Sequence, residues 1–277
     1  VLDWEGDGDP DVYLCNDRGG EVTGNMVLVN DGDGHFAVGD ARGADLTLAC
    51  MSSAAADLDG DGQLDLHLTG TDRQHALVDA GGAWVDAAAA WGLPSYGGEQ
   101  MPWGASATDV DNDGDVDLLV ATSGFSIEGA TGYPLQLWER DGDSGWTEHG
   151  EALGLPQAAG TRAVLTTDLD GDGVIDILAS DFARTPWLFS STGCTDAGWI
   201  EIEAPTGTRV EVQAGGRRRV ALVSDHPGMA ATGPAVAHIG IGDAETVDLV
   251  RAAVPWHGEQ VLVGPLPTRQ RVTWAPP

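Results

Sequence analysis

Five aspartates stand within nine residues at Asp109–Asp117, "DVDNDGDVD", one at every second position. Like charge at that density calls for a positive partner. The chain repeats the pattern as "DWEGDGDPD" (Asp3–Asp11), "DLDGDGQLD" (Asp57–Asp65) and "DLDGDGVID" (Asp168–Asp176). Position 1 is Asp3, Asp57, Asp109 and Asp168; position 3 is Glu5, Asp59, Asp111 and Asp170. Position 5 is Asp7, Asp61, Asp113 and Asp172, and position 9 is Asp11, Asp65, Asp117 and Asp176. Position 6 is always glycine: Gly8, Gly62, Gly114 and Gly173. Position 7 varies (Asp9, Gln63, Asp115, Val174), as suits a place where only the backbone carbonyl is used. Carboxylate and carbonyl oxygens on a tight, Gly-bent loop make a hard-cation site, and flexible, many-oxygen geometry favours calcium over magnesium. A single D-G-D-G would read as an acidic surface turn. Four copies with one spacing read as four calcium sites.

These loops are not EF-hands. An EF-hand needs a bidentate Glu at position 12 and a helix on each side. Position 12 here is Leu14, Leu68, Val120 and Ala179, and the flanks alternate or run apolar over a few residues, as strands do.

The elements that must hold the loops also repeat. The loop starts recur about every 50–60 residues, a period typical of arrays, solenoids and propellers. A strand of small residues precedes three of the loops ("SSAAADL", "GASATDV", "AVLTTDL"), and a second strand follows each loop. A third strand ("MVLVNDG", "HALVDAG", "PLQLWERDG", "PWLFSST") turns into an aromatic-led fourth ("GHFAVGD", "GAWVDAA", "GWTEHGE", "GWIEIEA"). Four short antiparallel strands with small residues on the innermost describe a propeller blade, because inner strands crowd a central channel. Phe36, Trp84, Trp146 and Trp199 recur at one position and are expected to pack between blades, with stacking on a glycan as the alternative.

Composition narrows the partners. There are 44 acidic and 13 basic residues, a formal charge of −31, and every basic residue is Arg. Four Ca2+ would leave the chain strongly acidic, a surface that repels phosphate backbones and excludes nucleic acid as a partner. No stretch has the roughly 18 apolar residues of a membrane span. The start is neither Met-led nor signal-like and opens almost inside a loop, so the chain is expected to be a processed or trimmed product. Repeat one then lacks its small-residue strand. Lost upstream sequence, the C-terminal strand "RQRVTWAPP" or a neighbouring molecule are the donors that would fill that edge, and upstream sequence is preferred. On that preference the ring has more than four blades. The competing expectation is that residues 260–275 pair with repeat one.

Three cysteines cannot all pair within one chain. Cys15 ends the second strand of repeat one and Cys50 starts the first strand of repeat two, both at the end away from the calcium loops. They are the candidate pair, and Cys194 falls in a hairpin at the calcium end. Calcium, acidity and a disulfide together point outside the cytosol.

The D-x-D-x-D-G-x-x-D loops after small-residue strands resemble FG-GAP (VCBS-type) repeats, the calcium-bearing blades of integrin-like β-propellers, over residues 1 to about 192. That resemblance implies calcium held at positions 1, 3, 5, 7 and 9 of each loop. Glu5 departs from the usual Asp, which implies a displaced or weaker first site. Residues 193–277 carry strands and no such loop. Their "GTRVEV" opening, "HIGIGDAETVDLV" and a Trp near a Gly-Glu-Gln turn resemble the ASPIC/UnbV domain that follows such repeats in cartilage acidic protein and its bacterial relatives. The usual W-P-x-G is here "PWHG", Pro255–Gly258. A compact antiparallel β domain is expected, so the whole chain reads as all-β.

Enzyme signatures are mostly missing. Without Lys there is no P-loop, Schiff-base or Ser-Lys chemistry, and neither G-x-S-x-G nor H-E-x-x-H occurs. His35, His67, His75, His149, His226, His238 and His257 lack zinc spacing and read as surface or packing residues. Arg217–Arg219 reads as a solvated hairpin strand that neutralises nearby acid, or else as an anion site. The leading expectation is no enzyme but a secreted, calcium-stabilised scaffold or adhesion module that recognises a protein or glycan. The alternative is an extracellular hydrolase or lyase using carboxylates on the same fold.

Overall fold

Short runs of Val, Leu, Ile and Thr, interrupted every few positions by Gly, Asp or Asn, fold as 21 strands among the described residues. The structure is a computed structural model that describes residues 1–125, 132–140, 142, 145–157, 160–182, 184–191, 196–226 and 228–274. Among the described residues there is no α-helix. Repeat one supplies β1 (Val12–Leu14), β2 (Met26–Asn30) and β3 (Phe36–Val38). Repeat two supplies β4 (Cys50–Ala56), β5 (Asp65–Gly70), β6 (Gln74–Asp79) and β7 (Trp84–Asp86). Repeat three supplies β8 (Gln100–Thr108), β9 (Asp117–Gly124), β10 (Gln136–Arg140) and β11 (Trp146–Glu148). Repeat four supplies β12 (Thr161–Thr167), β13 (Asp176–Asp181) and β14 (Trp187–Phe189). Each repeat is one antiparallel meander whose spatial order follows the chain.

Side chains on a strand alternate between two faces, and here both faces are covered. Along β9, Leu118 and Val120 enter a core shared with Ala56, Leu58 and Ala76 of repeat two. Leu119 and Ala121 enter a core shared with Val164, Ile177 and Ala179 of repeat four. All eight residues of β9 are buried, with an apolar run at 118–121 flanked by buried Asp117, Thr122 and Ser123. Truncating Leu118, which has no exposed surface, falls in the class of core changes that cost about 2–5 kcal/mol. Two aromatics pack between blades as expected. Trp84 stacks on Trp4 with ring centroids 4.8 Å apart, and Trp146 stacks on Trp91 at 5.8 Å. Phe36 does not. It is 49% exposed, because β3 is the outer edge of the first sheet.

The fourth strand expected in repeat four belongs elsewhere. Trp199 lies on β15 (Gly198–Glu203), which pairs with β18 (Val236–Gly242) and β21 (Gln270–Thr273). A second sheet has the order β17 (Arg217–Leu222), β16 (Arg209–Ala214), β19 (Thr246–Val254) and β20 (Gly258–Pro267). Ile200, Ile202, Val210, Val212, Ile239 and Val250 form one core between these two sheets. The domain is not wholly antiparallel, because β21 lies parallel to β15 after the chain has crossed from the other sheet.

Small side chains on β4, β8 and β12 let these strands pack side by side, β8 against both others. In repeat one the equivalent place holds only the Leu2–Asp11 bridge. Residues 260–274, the described part of 260–275, do not fill it; their strands pair with β19 and β15. Instead β17 packs beside β4, and the chain beyond β17 crosses the inner strands. Met229 N–H donates to Ser52 Oγ at 3.1 Å, and a Cβ on Gly228 would sit 2.1 Å from the Ala105 carbonyl oxygen. A cavity of about 370 Å³ remains in the centre.

Cys15 and Cys50 form a disulfide with Cα atoms 5.3 Å apart, joining repeats one and two as expected. Cys194 lies outside the described residues. The bridge spans 35 residues, and closing a loop of that size removes about 4 kcal/mol of unfolded-chain entropy at most. The double variant Cys15→Ser/Cys50→Ser is expected to lose about 2–4 kcal/mol in denaturant titration, with the acidic loops of repeats two to four unchanged.

Candidate metal centre

Each loop leaves one strand and enters the next through the same set of internal hydrogen bonds. The position-1 carboxylate accepts from the position-6 glycine N–H: Asp3 from Gly8 (3.0 Å), Asp57 from Gly62 (3.0 Å), Asp109 from Gly114 (2.8 Å) and Asp168 from Gly173 (2.9 Å). The position-5 carboxylate accepts from the position-7 N–H in all four loops, at 2.7–3.0 Å. Two residues must therefore take left-handed backbone. Position 6 is always Gly, with φ of 95, 85, 97 and 86°. Position 4 is the other, and sequence reasoning missed it. Gly6, Gly60 and Gly171 stand there in three loops and Asn112 (φ 66°) in the third, Asn being the side-chain-bearing residue that best tolerates this region. The signal was present as "EG", "DG", "DN" and "DG".

Position 9 is more than a ligand candidate. One oxygen of each carboxylate accepts the position-2 N–H: Asp11 from Trp4 (2.6 Å), Asp65 from Leu58 (2.8 Å), Asp117 from Val110 (2.9 Å), Asp176 from Leu169 (2.9 Å). The other accepts an N–H at the end of the third strand or just past it, from Asn30 (2.8 Å), Asp79 (3.2 Å), Arg140 (3.0 Å) or Ser191 (2.8 Å). The same four aspartates are buried, and each holds a loop to the body of its sheet.

Carboxylate oxygens converge within 4.8 Å in three loops: Asp57, Asp59 and Asp61; Asp109, Asp111 and Asp117; Asp168, Asp170 and Asp176. Loop one forms no such group. Asp3 instead spends its oxygens on the N–H groups of Gly6, Asp7 and Gly8, and Glu5 and Asp9 stay in an exposed turn with Asp7. Asp113, Asp115 and Asp172 lie on the same turns outside the tightest groups, and Gln63 and Val174 stand at position 7 of loops two and four. The donor set fits a hard cation on a specific observation. Asp57 Oδ1 and Asp109 Oδ1 are buried with no partner at hydrogen-bonding geometry. A buried oxygen left that way is costly unless something positive meets it. Burial, reinforced by Asp61, lifts Asp57 to about 6; burial and Asp59 lift Asp65 to about 7. Burial also raises Asp109 and Asp117 well above the ordinary range, with Asp111 and Asp113 adding to Asp109, and Asp109 and Asp111 to Asp117. A bound divalent cation would supply the charge that keeps them ionised.

Two predictions follow from that geometry. Folded-state values raised above about 3.8 mean that the metal-free fold holds protons the unfolded chain has released. Metal-free protein should therefore lose stability as pH rises from about 4 to 7, and the gain in melting temperature on adding calcium should be larger at pH 8 than at pH 5; scanning calorimetry with chelator or calcium reads both. Asp117→Ala removes the carboxylate acceptors of two backbone N–H groups as well as a candidate ligand, so it should cost about 2–4 kcal/mol even in chelator. Asp113→Ala should cost most of its effect only when calcium is present.

No curated protein matches the chain. A family model described as the FG-GAP-like repeat matches residues 3–68 and 109–179, and all four loops fall inside those two stretches. The chain thus carries FG-GAP-like repeats in two regions of an all-β fold.

Proposed function

We propose that the protein is a calcium-stabilised, β-propeller-like scaffold or adhesion module that works outside the cytosol and recognises a protein or glycan. One observation carries the calcium reading: buried, unpartnered oxygens on Asp57 and Asp109 inside loops of FG-GAP-like repeats. About four Ca2+ would be bound, loop one most weakly, because its acid groups do not converge. The Cys15–Cys50 bridge supports an oxidising compartment. Among the described residues no helix is long and apolar enough to cross a membrane. The C-terminal sandwich is read as an ASPIC/UnbV-like domain on its sequence resemblance.

A hydrolase or lyase remains the rival because Asp109, Glu201, Asp225 and His238 line the central cavity. Glu201 and Asp225 already have internal partners, which supports the binding reading. Glu201 accepts from Arg271 at 2.6 Å and lies 3.4 Å from His238 Nδ1. Asp225 lies 2.7 Å from His226 Nδ1, and Asp109 belongs to a metal loop.

A ligand that binds only the folded state stabilises it by about 2.7 kcal/mol per site at a hundred times its dissociation constant. Chelation should therefore lower the melting temperature by well over 10 °C, and readdition of calcium should restore it. An unchanged melt, with metal loss verified by elemental analysis, would end the calcium reading.

A further inference from the structure

Three of the four position-6 glycines are covered, and in each case the cover is a side chain of the C-terminal domain. A Cβ on Gly62 would lie 2.6 Å from Arg218 Nη1; on Gly114, 2.3 Å from Arg219 Nε; on Gly173, 1.8 Å from Trp199 Nε1. Around Gly8 of loop one there is open space. The glycines therefore serve close approach as well as backbone conformation. Directed bonds join the same surfaces. Arg209 Nη2 donates to the Gly62 carbonyl at 3.1 Å, Gly242 N–H donates to the Asn112 carbonyl at 2.9 Å, and His238 Nε2 lies 2.7 Å from Asn112 Oδ1. The strand Arg217–Arg219, expected to be solvated, is exposed at its first two residues, but Arg219 is buried against loop three.

The loops are also tied to one another. Arg140 donates through Nη2 to the Asp59 carbonyl of loop two at 2.5 Å and lies 3.7 Å from Asp115 of loop three. Asn112 of loop three donates through Nδ2 to the Gly173 carbonyl of loop four at 2.8 Å. Apart from the Arg140–Asp115 ion pair, these contacts reach loop carbonyls and amides, and all of them leave the unpartnered oxygens of Asp57 and Asp109 free. A cavity of about 70 Å³ lies between those two residues and the arginines of β17.

We infer that the C-terminal domain is an internal partner of metal loops two, three and four, so that its seating and their occupancy by calcium form one linked equilibrium, with loop one standing apart. The sign is positive. Nine aspartates belong to loops two and three, so two Ca2+ leave them still negative and still attractive to the arginines. Without metal, crowded carboxylates push the loops open and move the carbonyls that Arg209, Arg140 and Asn112 grip. Linkage is reciprocal: a seated domain must raise calcium affinity by the factor by which calcium favours seating.

The inference rests on the calcium reading, and the test separates the two. The full chain is titrated with calcium alone by calorimetry, and amide hydrogen exchange is followed with calcium or chelator. Calcium binding with slower exchange at 198–203, 209–222 and 236–242 is the expected result. Arg209→Ala and Arg218→Ala, neither a metal ligand, should each weaken calcium binding about fivefold or more. Arg140→Ala should flatten cooperativity between sites while the domain stays seated. Binding with unchanged exchange in those strands, or with affinities within twofold in both domain variants, overturns the linkage alone. An absence of calcium binding overturns both readings.

Discussion

The buried aspartate at the ninth position of each loop turns a chemical requirement into an architectural one. Its two oxygens accept one N–H from the start of the loop and one from beside the third strand. The loop cannot shift without loosening the sheet, and the sheet cannot loosen without moving the loop. In loops two and three burial and acidic neighbours disfavour ionisation of that carboxylate, Asp65 or Asp117, so the end of those two blades depends on how local charge is balanced. Few other residues in the molecule combine so much hydrogen bonding with so much electrostatic stress.

Inter-blade packing answers to a separate rule. Strands with both faces buried carry apolar side chains on both faces of their central residues, whereas the innermost strands need small ones. Leu118 and Leu119 are adjacent in sequence yet belong to different cores. The disposition of these cores explains why short sheets of three or four strands can be stable here: each borrows its second hydrophobic layer from the next repeat.

Much of this was legible in the residues. The repeated nine-residue loop, its β flanks, the small-residue inner strands and the Cys15–Cys50 pair all depend on local spacing or on the direction of successive strands. Other features were not local. "GWIEIEA" alternates as well for a fourth blade strand as for β15, and only long-range pairing with β18 and β21 decides. Phe36 has the sequence context of Trp84, but its sheet lies at the end of the row. Arg219 looked solvated because nothing in "GGRRRVAL" reveals that loop three, a hundred residues away in sequence, lies over it. Asn112 carried no reading of its own in the sequence, and its link to Gly173 spans 61 positions.

The bridge between Cys15 and Cys50 also sets a path for force. Tension carried along the backbone to Cys15 passes directly to Cys50 and bypasses everything between them, including β2 and β3. Those residues hold about 120 Å of extensible chain at roughly 3.4 Å each. While the bond is intact, that slack is unavailable to a pulled molecule. A protein that joins two objects would then transmit load from its first repeat into β4 and the core beside it, and reduction of one bond would turn a stiff connector into a longer, compliant one.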